Sequence, residues 1–427
     1  MLAYQTFIPS RTDWGKDDGV WYRCVDDLGA QPMLWSNYLH AQRSRARGGR
    51  GLVLTPYGGL GSHKFPQVGS GDTDVSYDTL AFEVYSTLTA ANVLTPWTHD
   101  LGGFHQTALL WPTPELWLRW IQFGLFSPSF RTHCTHDGAC EPWVSALFLP
   151  QSSWVPVFQA RAALMPYIYS ASWAATTSGV AIVHPLYYDW PELNESYAHV
   201  CEYLFGDALL VAPVVQPQLM PRAPIWLPPG CWAPWPLFVN ASALGVGTVL
   251  TGPLVLANLT FALEDVPVFA RCGSVVPMKG LADAAAPPVA PRRLVLVALP
   301  GGGAGSATVF EDEGEGLGYA RSGAFRLLNA TQDDRDAGPL ALTITPFAGG
   351  AGYPGEPSTR AFSAQFVVAA DAPSPSRCTA NGAAVPFSSP EAPPPGWWRS
   401  LDGRDQHSIL VALGEAPSDA AWRIECS

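Results

Sequence analysis

No stretch of about 18 apolar residues occurs in the chain, which excludes a membrane-spanning helix. Basic residues are few. Lys and Arg number 24 against 36 Asp and Glu, and a net charge of −12 repels nucleic acid and anionic membrane surfaces. The single dense arginine run, RSRARGGR at 43–50, therefore reads as a solvated helix end or loop. The opening MLAYQTFIPS lacks the basic start and sustained apolar stretch of a signal peptide. Neither CxxC nor HExxH occurs, so Cys134 and Cys140 in CTHDGAC read as two ordinary thiols, the alternatives being a disulfide or a metal shared with His136. There is no internal repeat. Asparagine is scarce, yet four of the seven, Asn194, Asn240, Asn258 and Asn329, stand in N-x-S/T sequons. That points to a parent protein of the secretory pathway or extracellular space.

What is present is apolar and aromatic. With 427 residues, 48% of them hydrophobic, the chain can bury substantial cores in two or three domains. Its 17 tryptophans serve packing, and their faces also suit the apolar faces of sugar rings. Up to about residue 180 extended apolar pieces (RGLVLTPY, ANVLTPWTHD) alternate with helical ones. In TPELWLRWIQFGLF the apolar residues Leu116, Trp117, Trp120 and Ile121 recur near the helical period, and VFQARAALMPYIYSASWAATTSG reads as one long helix closed by Gly179. Beyond this the chain turns to short strands separated by Pro/Gly turns, interrupted by a Pro/Ala linker at 281–293. The expected fold is part of a (β/α)8 TIM barrel over residues 1–182, then two antiparallel β-sandwich domains over 183–282 and 283–427.

Three acids stand where strand ends are expected: Asp13 in RTDWGKDDG, Asp72 in GSGDTD and Asp100 in WTHDLGGF. The carboxyl ends of barrel strands hold the chemistry of that fold. One Asp beside Gly is ordinarily a turn or cap residue; three together, beside Trp and Gly, fit the paired carboxylates of glycoside cleavage.

At these residues the chain resembles glycoside hydrolase family 31, the α-glucosidase and α-xylosidase family. The resemblance is carried by GGLGSHKFPQVGSGDTDVSYDTLAF, TPWTHDLGGF, PELWLRWIQFGLFSPSFRTHC, MPYIYS, HPLYYDWPE and YLFGDALLVAPVV, and it continues through IWLPPGCWAPW, VPVFARCGSVVPM and VFEDEGEGLGY. It implies a retaining exo-α-glycosidase acting on α-linked oligosaccharides or glycosides, without cofactor, metal or nucleic acid. It implies Asp13 as nucleophile and Asp72 as general acid/base, with Trp14, Trp97, His99, Asp100, Phe104, Arg131 and His133 around the bound sugar. Asp72 would have to hold its proton near working pH, and an Asp13 carboxylate together with partial burial would push its pKa upward.

Two departures stand beside the resemblance. Sixteen residues before Asp72, where the family carries a sugar-binding arginine, the chain has Pro56, which has no side-chain donor. A full barrel takes about 250 residues, and only about 180 precede the β-rich part, so the chain is expected to be the C-terminal part of a larger enzyme whose N-terminal portion is its partner. The alternative is a non-catalytic carbohydrate-binding relative. The acidic EDEGEG at 311–316 lacks EF-hand spacing and reads as a structural turn.

Overall fold

A computed structural model describes residues 38–55, 62–64, 67–92, 96–106, 111–135, 140–141, 149–218, 223–235, 249–280, 290–333, 338–368, 372–390, 393–401 and 407–427. Asp13, Trp14, Pro56 and His136 lie outside the described residues.

Among the described residues from 38 to 135, short parallel pairings set the organisation. Thr55 bridges to Val68; β1 (Val68–Gly69) pairs with β2 (Trp97–Thr98); Leu101 bridges to Thr132. Parallel neighbours need a crossover, and helices supply it. After α1 (Tyr38–Ala46), helix α2 (Tyr77–Ala91) joins β1 to β2, and α3 (Pro114–Leu125) joins β2 to the segment at Thr132. Ser76 caps α2 by accepting from Thr79 N at 3.0 Å. Thr113 caps α3 by accepting from Leu116 N at 3.2 Å, and Pro114 fills the first turn, where a missing N–H costs nothing.

Every residue of α3 from Leu116 to Leu125 is buried, including Arg119 and Gln122. Those two are buried because they are paired: Arg119 donates to the carbonyls of Ala262 and Asp265, and Gln122 to that of Leu263. The long helix expected after residue 150 is two helices, α4 (Gln151–Ala163) and α5 (Met165–Ser178). Pro166 is the reason, since it has no N–H for an upstream carbonyl and restricts the residue before it. Gly179 closes α5 at φ 76°, as the sequence predicts.

The first β unit is a six-stranded antiparallel sheet ordered β3-β4-β5-β8-β6-β7, from β3 (Val183–Pro185), β4 (Tyr203–Phe205), β5 (Leu209–Val211), β6 (Ile225–Pro234), β7 (Leu250–Leu256) and β8 (Val268–Arg271). Side chains alternate between its faces. Tyr203, Phe205, Leu209, Val211, Val268 and Ala270 pack with the helices, whereas Leu204, Leu210 and Phe269 join Trp226 and Trp232 in a separate core.

The second unit has a five-stranded sheet, β17-β18-β14-β10-β9, and a six-stranded sheet, β11-β12-β13-β19-β15-β16. The elements of the first are β9 (Val275–Lys279), β10 (Arg293–Ala298), β14 (Thr359–Val367), β17 (Gly396–Leu401) and β18 (His407–Pro417). Those of the second are β11 (Gly305–Asp312), β12 (Phe325–Gln332), β13 (Leu340–Ile344), β15 (Cys378–Ala380), β16 (Ala383–Val385) and β19 (Trp422–Cys426). Leu294, Leu296, Phe362 and Val411 of one sheet and Val309, Leu328, Leu342 and Ile424 of the other form the core between them. All pairings here are antiparallel except β10 with β14.

The acidic turn is structural, as expected, and it corrects the reading of the arginine run. Arg43, Arg45 and Arg47 are exposed, but Arg50 is half-buried: it pairs with Asp312 and donates to Tyr169 Oη and to the carbonyl of Gly316. Glu311, next to Asp312, accepts from both terminal guanidinium nitrogens of Arg360 at 2.5 and 2.7 Å. The thiols of Cys134 and Cys140 are likewise corrected: they form a disulfide, as do Cys231–Cys272 and Cys378–Cys426, while Cys201 is free.

Candidate active site

The described members of the sequence-predicted set lie in three segments at or beside the parallel pairings. Asp72 comes three residues after β1, His99 and Asp100 directly after β2, and Arg131 and His133 on either side of Thr132. The first two loops therefore leave the carboxyl ends of their strands, where barrel chemistry is found, and the third segment flanks the bridge at Thr132. Backbone hydrogen bonds join them. Thr73 O accepts from both Phe104 N and His105 N at 2.9 Å, Leu101 N donates to Arg131 O at 3.3 Å, and Thr135 N to Phe104 O at 2.9 Å. The Cys134–Cys140 disulfide ties the end of the third loop.

Asp100 is the buried charge of the site, 1% exposed. Burial pushes its carboxyl up to about 6, against the pull of the Arg131 cation and with the added push of Asp72. Arg131 donates to Asp100 Oδ1, yet the guanidinium stays nearly one-third exposed. The other oxygen, Oδ2, is buried with no hydrogen-bond partner among the described residues, and so is Arg131 Nε. A buried carboxylate oxygen without a donor is costly, and a hydroxyl-bearing ligand would satisfy it. Asp72 is exposed, not partly buried as its expected proton-donor role assumes. It nevertheless lies near enough for its charge to act on Asp100 and on His133, whose pKa falls through burial and the Arg131 charge. Phe104 tilts against His133 at 5.2 Å between ring centres.

Two expected sugar contacts, Trp97 and His99, stand behind the site instead. In an extended segment successive side chains alternate in direction, so Trp97 and His99 go one way while Thr98 and Asp100 go the other. Trp97 Nε1 donates to Glu83 on α2 at 2.9 Å. His99, 1% exposed, stacks on Phe123 of α3 at 4.5 Å and accepts from Trp120 Nε1 at Nδ1. An indole can only donate, so the His99 proton is on Nε2, which donates to Ser127 Oγ at 2.9 Å. Burial, with the Arg131 charge, drives its pKa down to about 3, and the ring is neutral. His99 orients the Asp100 loop; it has no nitrogen left for a sugar.

Sequence reading passed over Glu83 and Arg161. Glu83 is 2% exposed, and burial pushes it up to about 7, with Trp97 opposing. Its signal was an acid within the buried face Leu80, Val84 and Thr87 of α2. Arg161 of α4 donates to the carbonyls of Leu125, Ser127 and Pro128, fixing the chain between the end of α3 and Arg131.

Acids and cations grouped at the carboxyl ends of parallel strands fit the paired-carboxylate chemistry of glycoside cleavage. Family models agree: the glycosyl hydrolases family 31 TIM-barrel domain matches residues 25–171, and the glycosyl hydrolase family 31 C-terminal domain matches 179–276. The chain belongs to glycosyl hydrolase family 31. Among curated relatives, it is 30% identical to a neutral alpha-glucosidase C of Mus musculus over 66% of this chain and 30% of the relative. It is 27% identical to an alpha-xylosidase of Saccharolobus solfataricus over 59% of this chain and 33% of the relative. A 1,6-alpha-glucosyltransferase of Sporosarcina globispora is 28% identical over 58% of this chain and 19% of that protein. The chain thus spans a third or less of each of these relatives. A Flavobacterium johnsoniae GH31 dextranase complexed with glucose shares the fold with a TM-score of 0.77, at 21% identity over 94% of this chain and 49% of that one.

Proposed function

We propose that this chain carries the acid/base and sugar-binding side of a retaining exo-α-glycosidase, with terminal α-linked glucosides as substrates. The observation that carries this reading is the free, buried Oδ2 of Asp100, held beside the exposed Asp72 by the Arg131 pair. Asp100 and Arg131 offer an acceptor and a cationic donor to the hydroxyls of one sugar. Asp72, directly after Gly69-Ser70-Gly71, protonates the glycosidic oxygen. Asp13, by its resemblance to the family nucleophile, attacks the anomeric carbon and forms a glycosyl ester. Water then cleaves that ester as Asp72 takes back the proton, so configuration is retained. The glucosidase, xylosidase and transferase names among the relatives support an α-glycoside as substrate, and glucose is the sugar they favour.

Pro56, in place of the family arginine, favours a second reading: a relative that binds carbohydrate without cleaving it. Hydrolysis of a panel of p-nitrophenyl α-glycosides by wild type, Asp13→Ala and Asp72→Ala separates the two. Loss of about 10²–10⁴-fold in kcat for Asp72→Ala is expected for an acid/base. Equal rates in all three proteins would overturn the assignment, and sugar binding without turnover in wild type would favour the second reading.

A further inference from the structure

We infer that Asn194, Asn258 and Asn329 carry N-linked glycans, acquired while the chain folds in an oxidising, secretory compartment. Chance places about one sequon among seven asparagines in a chain of this Ser and Thr content, and four are present. The three that are described are all exposed, on three separate parts of the β region. Asn194 immediately precedes a one-turn helix, Glu195–Ala198. Asn258 follows β7 at φ 58°, a left-handed conformation that asparagine tolerates better than most residues. Asn329 sits on the outward face of β12, where its Oδ1 accepts from Thr308 Oγ1 at 2.8 Å and its Nδ2 makes no hydrogen bond among the described residues. A glycan on Nδ2 leaves the Thr308 contact in place.

The cysteines support the compartment independently. Six of the seven described cysteines are paired in three disulfides, a pattern that reducing cytosol does not sustain. In the transfer step the Asn Nδ2 attacks the anomeric carbon of a lipid-linked oligosaccharide diphosphate. The N–C bond forms, the C–O bond to the diphosphate breaks, and the amide proton leaves with the lipid diphosphate. Timing is constrained at Asn194: its sequon hydroxyl, Ser196 Oγ, donates to Leu193 O at 2.6 Å and the residue is only 4% exposed, so transfer there has to precede folding. At Asn258 the glycan has a further consequence. The adjoining β7 is the end strand of its sheet among the described residues and exposes Val255, an edge that a glycan shields from pairing with another chain.

The test uses the protein purified from its own cells. Peptide-N-glycosidase digestion converts each glycan-bearing Asn to Asp, and peptide mass spectrometry is expected to find this conversion at 194, 258 and 329 only after the enzyme is added. Unmodified asparagine in the untreated protein at all three positions overturns the inference. As a second measurement, the folded, unglycosylated chain offered to the transferase with its lipid-linked donor is expected to stay unmodified at Asn194, whereas the reduced, unfolded chain is glycosylated there. Equal modification of both would overturn the timing.

Discussion

Gly103 and Val75 approach so closely that a Cβ on Gly103 would stand 2.9 Å from the Val75 Cα. Gly103 also has φ 88°, which L side chains avoid. This contact presses the Asp72 loop onto the Asp100 loop, beside the paired bonds to Thr73 O. Gly103→Ala is expected to cost on the order of 1–3 kcal/mol in stability and to separate the two loops. Thermal unfolding measures the first effect and affinity for a terminal-sugar inhibitor the second; unchanged values in both would show that the approach is not required.

The contribution of Glu83 and Asp100 to stability is expected to decline as pH rises from about 4 to about 7. Glu83 and Asp100 both have carboxyls raised by burial, to about 7 and about 6. Raised folded pKa values favour the protonated acid, so their contribution is full below the unfolded pKa and is lost as pH climbs through the folded one. Glu83→Gln keeps an acceptor for Trp97 Nε1 and cannot ionise. Its melting temperature is expected to match wild type near pH 4 and exceed it at pH 8, by an amount worth about 3 kcal/mol at most. Parallel melting curves at all pH values would refute the role of Glu83 ionisation.

Loss of different disulfides should separate stability from binding. Cys378–Cys426 closes a separation of 48 residues and Cys134–Cys140 one of 6. Chain-entropy arguments give about 4 kcal/mol for the first and about 2 kcal/mol for the second. Cys134→Ser with Cys140→Ser is expected to weaken sugar binding, because the bridge anchors the loop of Arg131 and His133. Removing Cys378–Cys426 should lower Tm further and leave affinity unchanged. Calorimetry and binding isotherms on both double variants check this.

Breaking the Glu311–Arg360 pair should be severe, since Glu311 is 3% and Arg360 1% exposed. Tyr353 Oη also donates to Glu311, at 2.9 Å. Arg360→Leu strands a buried carboxylate and is expected to cost about 3–5 kcal/mol. Glu311→Gln combined with Arg360→Met is expected to recover much of that loss in denaturant titrations, and a double variant as unstable as Arg360→Leu alone would exclude this electrostatic explanation.

The sequence by itself determined the α/β rhythm, the helical period of α3, the C-cap at Gly179 and the family, because these rest on local periodicity, turn chemistry and contiguous motifs. It also brought Asp72 and Asp100 into view as acids following strands, and Arg131 and His133 through the family resemblance. Only the tertiary structure decided that Trp97 and His99 turn toward the helices, that Arg50 serves Asp312 across 262 positions, and that Cys134 meets Cys140. Motifs record which residues are present, whereas the face a side chain takes and the partner it meets depend on how strand alternation and distant packing place it in space.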